Sequence, residues 1–180
     1  MKYQKMAITL ISGVVLTSLM MTANGQQPTG TETQQFQQWG VSFSHPASLT
    51  VRTSTGKTGL VKDILLLGQD GTVFRIRLFP SEGITVDDLA QATTDGFLKG
   101  TRNTKADAKI SETKSQRNFF GAPRVGRKYT DDSQGAVRTT EFYFFQFGSD
   151  LVEGTIQFFD KTMKASEEVI NNILKTAKKK

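Results

Sequence analysis

The chain has no cysteine, so disulfides, thiol nucleophiles and cysteine-ligated metals are excluded. Its one histidine, His45, leaves no imidazole cluster to hold zinc and no second ring to assist the first. No serine sits in a G-x-S-x-G elbow, the strained turn that exposes a hydrolase nucleophile. Gly121 and Gly126 complete neither of the glycine fingerprints that cradle nucleotide phosphates. An uninterrupted apolar run of the roughly 20 residues that a spanning helix needs is also missing. Charge of one sign is scarce as well. The formal +6 comes from 23 basic and 17 acidic residues, and Lys175, Lys178, Lys179 and Lys180 supply most of it. Leaving out Lys2 and Lys5 at the amino terminus, those four account for the whole excess. The body of the chain is near neutral, which argues against a nucleic-acid partner.

What is present begins with an export signal. A basic start, Met1-Lys2-Tyr3-Gln4-Lys5, precedes the apolar stretch Met6 to Met21, which Thr9, Ser12, Thr17 and Ser18 dilute. Small residues follow at Ala23 and Gly25. Together these predict a signal peptide over 1–25, cut near Gly25, with no integral membrane span afterwards and an exported, periplasmic or secreted product. Without cysteine, no lipoprotein anchor can form. Residues 26–38 (QQPTGTETQQFQQ) are polar and read as a flexible spacer. The expected order is then a single domain over 39–177 and a basic tail over 178–180.

Within the domain, Trp39 to Pro46 alternates apolar and small polar residues, the period of a half-buried strand that Pro46 ends. A short strand is expected around Leu49, Val51 and Thr53. Ile64 to Leu67 and Thr72 to Phe79 flank Asp70-Gly71, a hairpin signal. Thr85 caps a helix with Asp87 and Asp88 at its positive end, and Gly100 is its expected stop. Further strands are expected over Lys109–Gln116, Pro123–Thr130, Val137–Phe147 and Leu151–Phe159. A closing helix begins near Asp160 or Thr162, with Ile170, Ile173 and Leu174 on its apolar stripe. Phe142 to Phe147 carries large apolar groups on both faces of its strand, so both faces need cover. The predicted class is α+β: a mainly antiparallel sheet of about six or seven strands with helices on both faces.

Three stretches carry a family resemblance: Trp39-Gly40-Val41-Ser42-Phe43-Ser44-His45-Pro46, Phe120-Gly121-Ala122-Pro123 before a strand, and the aromatic hairpin Val137 to Phe159 with its closing helix. The pattern resembles the PsbP-like superfamily of α/β/α sandwiches, which includes DcrB-type bacterial envelope proteins and Ran-binding Mog-type proteins. It spans roughly Phe36 to Lys178. The closing helix departs from it by lacking the serine-phenylalanine ending common in relatives. The resemblance implies the fold and an exported accessory or binding role, and it transfers no site residue.

The residues themselves offer few sites. His45 before Pro46 reads as structural. Asp87-Asp88 is explained by helix capping and Asp131-Asp132 by a tight turn. Thr130 to Gly135 lacks the spacing of a calcium loop. No catalytic residue, metal site or cofactor is therefore assigned. Arg75 and Arg77 share one strand face, and Arg124 and Lys128 share a face of another. Were those strands neighbours, the four would form a basic stripe for an acidic partner. The expected function is an exported, non-catalytic accessory or binding protein of the cell envelope, with an envelope protein as its partner. The alternative is a small hydrolase, or a ligand or metal carrier, built from dispersed carboxylates.

Overall fold

The computed structural model describes residues 32–180. The expected signal peptide and its cleavage point, and the first part of the expected spacer, lie outside the described residues.

Seven antiparallel strands form the main sheet. In chain order they are β3 (Thr50–Thr55), β4 (Lys62–Leu67), β5 (Val73–Pro80), β6 (Ile110–Phe119), β7 (Ala122–Asp131), β8 (Arg138–Phe147) and β9 (Asp150–Phe159). Their spatial order is β3-β4-β5-β9-β8-β7-β6. A smaller sheet joins β1 (Thr33–Gln38), β2 (Val41–Pro46) and the two-residue β10 (Lys178–Lys179) in the order β1-β2-β10. Two helices complete the fold, α1 (Val86–Thr104) and α2 (Met163–Thr176). The class is α+β and mainly antiparallel.

Three boundaries differ from expectation, each for a physical reason. Thr33–Gln38, read as spacer, is a strand, because a two-stranded ladder with β2 satisfies its backbone and Phe36 stacks on Phe43 at 4.7 Å. Lys178 and Lys179, read as tail, pair with Ser42 and Val41, and the Lys180 amide donates to the Gly40 carbonyl at 3.0 Å. Helix α1 runs past Gly100 to Thr104. A glycine in a helix interior costs about 1 kcal/mol, which the buried Thr101 of the next turn overrides. The expected start holds, since Thr85 and Asp88 form a reciprocal capping box.

Strand β8 explains the packing. Tyr143 and Phe145 belong to the main core with Phe74, Ile76, Ile156 and Phe158, and with Ile170, Ile173 and Leu174 of α2. Phe142, on the alternate side of the strand, meets Phe97 of α1 at 5.3 Å, and Phe97 also lies 5.2 Å from Tyr129. At its midpoint β8 pairs with Gly154 of β9, where a methyl group would come within 2.6 Å of the Phe119 ring. Glycine is required there so that this ring can lie against the backbone.

Two hairpin tips are strained. Trp39-Gly40 closes β1–β2 and Phe120-Gly121 closes β6–β7, all four residues with positive φ. Such two-residue turns favour asparagine first and glycine second. Trp39 and Phe120 both sit at φ +52, and left-handed backbone costs an ordinary residue about 1–2 kcal/mol.

Candidate binding site

The fold does not bring the four basic residues together. Strands β9 and β8 separate β5 from β7. Arg75 and Arg77 project on the side of the sheet where Glu153 meets Thr93 of α1. Arg124 lies on the other side, 4.4 Å over the Phe145 ring, and Lys128 stands opposite Glu141 in the ladder. Both arginines of β5 are already paired. Arg75 grips Asp63 in a bidentate fork, which holds its guanidinium above its ordinary pKa against the opposing effect of burial. Arg77 grips Glu153 in the same manner. The stripe expected from sequence is absent because its condition, adjacency of the two strands, fails.

The buried acids are paired in the same way. Glu141 is 2% exposed and takes two 2.9 Å bonds from Arg117 and one of 2.6 Å from the Tyr143 hydroxyl. Burial alone would raise its pKa, but these donors bind the charged form and bring it below the ordinary value. Burial, and then the bond to Glu141, pushes the Tyr143 phenol up. Ser115 closes this network at 2.6 Å from the phenol oxygen. Glu153, 1% exposed, also accepts from Thr93 and Thr155. Asp131 accepts from Arg138 and Ser133, and Asp132 binds Lys105 at 2.9 Å. The capping reading of Asp88 holds, and the turn at Asp131 is reinforced by two ion pairs.

These placements bear on hydrolytic chemistry. Glu141 and Glu153 project on opposite sides of the sheet. Glu153 and Asp131 share a side, but their ladder partners on β8, Phe144 and Arg138, are six residues apart, or about 20 Å of extended strand. A glycosidase-type pair needs its carboxyls within about 10 Å. His45 is 3% exposed, and its Nδ1 donates to the Pro46 carbonyl at 2.9 Å. Among the described residues, no group of three or more potential ligands is placed to hold a metal.

The open feature is a groove of about 680 Å³ between the start of α1 and strands β6, β7 and β8. Phe142 and Phe144 form its floor, with Val86 and Ala90 on the helix side. Val125 stands at its edge, 66% exposed. Asp87, Glu112, Lys114 and Arg127 rim it, two charges of each sign. Burial of Phe144 is only partial for this reason, since α1 shields Phe142 and stops short of its neighbour. Sequence reading missed this groove. The available signal was Val125, an apolar residue between Arg124 and Gly126 in β7. It also missed Glu141 and Glu153, each a lone acid in an apolar run, a pattern that demands a buried partner.

Neither a family model nor a curated protein sequence matches this chain. Solved structures do. Cyanobacterial PsbP (CyanoP) from Synechocystis sp. PCC 6803 aligns with a TM-score of 0.54 at 10% identity, over 88% of this chain and 98% of that one. The Ran-binding protein Mog1p of Saccharomyces cerevisiae aligns at 0.48 and 5% identity, over 81% and 94%. LpqN of Mycobacterium tuberculosis, involved in cell envelope biogenesis, aligns at 0.47 and 9%, over 82% and 90%. The first likeness covers nearly the whole of both chains. At such identities only architecture is shared: the chain has a fold similar to that of CyanoP.

Proposed function

We propose that this protein is an exported, non-catalytic binding module of the cell envelope. Its architecture is read as an α/β/α sandwich, with α1 over the Phe142 side of the sheet and α2 over the Tyr143 side. The contacts of Phe97 with Phe142 and of Ile170 with the Tyr143 core support that arrangement. The observation that carries the function is the groove beside α1. An exposed valine and two phenylalanines line an open surface there, while the buried carboxylates that could have served catalysis are each tied to arginine.

The occupant we propose is an extended protein segment with one or two apolar side chains. Groove size fits a few residues, and the balanced rim disfavours a strongly charged ligand. Strand β6 forms the edge of the sheet beside the groove, so its free backbone groups can register such a segment. A photoreactive residue placed at Val125 tests this. Exposed to envelope extract, it gives a discrete adduct that is lost on Phe144→Asp. No adduct, or the same adducts from a photoreactive residue at the distant, exposed Leu60, refutes the reading.

A further inference from the structure

A second cleft, of about 530 Å³, lies between the Phe120-Gly121 hairpin tip and the end of α2 with the strand that follows it. Phe120, Leu174 and Ala177 give it an apolar floor, and four lysines line it: Lys175, Lys178, Lys179 and Lys180. No acidic residue is among the lining. Asp150 neutralises Lys179 from behind at 2.8 Å. Lys175, Lys178 and Lys180 are exposed, and none of them holds an ion pair among the described residues. Even with a carboxylate counted at Lys180 and Asp150 included, the lysines outnumber the negative charges by two. The groove beside α1, by contrast, has a balanced rim.

The strain in the backbone is concentrated at the same end. Of the described residues other than glycine, only Trp39 and Phe120 have positive φ. Both are aromatics at hairpin tips. Gly40, next to Trp39, is bonded to Lys180, and Phe120 lines the lysine cleft and packs 5.6 Å from Phe147. Strain held at two tips flanking one surface is a mark of function.

We infer that this end of the molecule docks on an anionic phospholipid bilayer, with Lys175, Lys178 and Lys180 facing the headgroups and the half-buried Trp39 and Phe120 at the interface. Lysines near such a surface add attraction that decays within a Debye length. Aromatic rings with one apolar and one wet side settle at that depth. Three exposed lysines give weak, reversible attachment. That suits a protein whose other groove must stay open to a partner.

Trp39 is the only tryptophan, so its emission reports on this end alone. The exported form, beginning near Gln26, is mixed with vesicles of brominated phosphatidylcholine and phosphatidylglycerol in equal parts, or of brominated phosphatidylcholine alone. Quenching of Trp39 is expected with the anionic vesicles only, and is lost at high salt. The triple change Lys175→Gln/Lys178→Gln/Lys180→Gln lowers the apparent affinity about a hundredfold, and each single change roughly fivefold. The matching triple change to arginine retains it. Neutralising the exposed Lys57, Lys99 and Lys164 serves as the control and leaves quenching intact. Equal quenching by both vesicle types, or equal losses in the test and control triples, overturns the proposal. So does loss of quenching on adding millimolar inorganic phosphate at constant ionic strength, which would assign the cleft to a free phosphate group instead.

Discussion

Replacing Arg117 with methionine tests whether the buried charges are structural. The guanidinium donates from Nε and Nη2 to the two Glu141 oxygens at 2.9 Å, and its remaining contacts reach Asn171 and Glu167 of α2 at 3.1 and 3.4 Å. The side chains of Arg117 and Glu141 are 12% and 2% exposed, so water screens the pair poorly. Removing the cation leaves a carboxylate buried with only the Tyr143 hydroxyl to bind it, at a cost of about 3–5 kcal/mol. For a domain of this size the melting midpoint falls by about 10 °C or more. The sign of the pH dependence is specific. In the parent, Glu141 has a pKa below its ordinary 4.5, so it binds fewer protons folded than unfolded. Its stabilisation is present above about pH 4.5 and fades as pH falls through the lowered value. In Arg117→Met, burial is no longer opposed by the guanidinium and the pKa rises above 4.5. The variant's penalty is then full at neutral pH and shrinks as acid protonates the carboxyl. Urea titrations followed by circular dichroism at pH 7 and near pH 4 measure both. The double variant Arg117→Met/Glu141→Leu recovers most of the loss, because an apolar pair of similar volume avoids the desolvation cost. A loss under about 1 kcal/mol, or a penalty unchanged between the two pH values, refutes the reasoning.

Phe145→Ala costs about 3–5 kcal/mol, the range for a buried ring, whereas Phe144→Ala costs about 1–2 kcal/mol because its ring is only partly buried beside the groove; equal losses in thermal melts would show that the two sides of β8 are equally covered. Intact-mass analysis of the exported fraction finds an amino terminus near Gln26, and full-length protein in the cytosol with none exported would remove the signal-peptide reading.

The parts of the fold that were legible share a cause: their signals are local. Asp70-Gly71 closes the β4–β5 hairpin and Thr85 with Asp88 caps α1, so neighbouring residues sufficed to read them. What was missed depends on residues distant in sequence. Phe36 and the glutamines around it look like a spacer until Phe43 and the β2 ladder are supplied. Lys178 and Lys179 look like a tail until Val41 and Ser42 pair with them. The basic stripe failed for the same reason in reverse. Spacing along β5 and β7 correctly gave two residues per face, but strand order is a long-range property, and β8 and β9 came between them.

Strand order also accounts for the separation of the two open surfaces. The β8–β9 turn brings Phe147 and Asp150 to the end where β6–β7 turns at Phe120 and where β10 returns after α2. Asp150 binds Lys179 there, which also lies 5.3 Å from the Phe147 ring, so one lysine is used to fix the strand and its neighbours remain free. On the other side of the same sheet, α1 begins beside Phe142 and leaves Phe144 and Val125 uncovered. The arginines that could have given that side a positive surface are held by Asp63 and Glu153. The near-neutral body and the basic carboxyl-terminal segment seen in the composition thus become, in three dimensions, a balanced groove and a cationic cleft. The two proposed surfaces differ in lining and in charge, so each calls for a partner of its own chemistry.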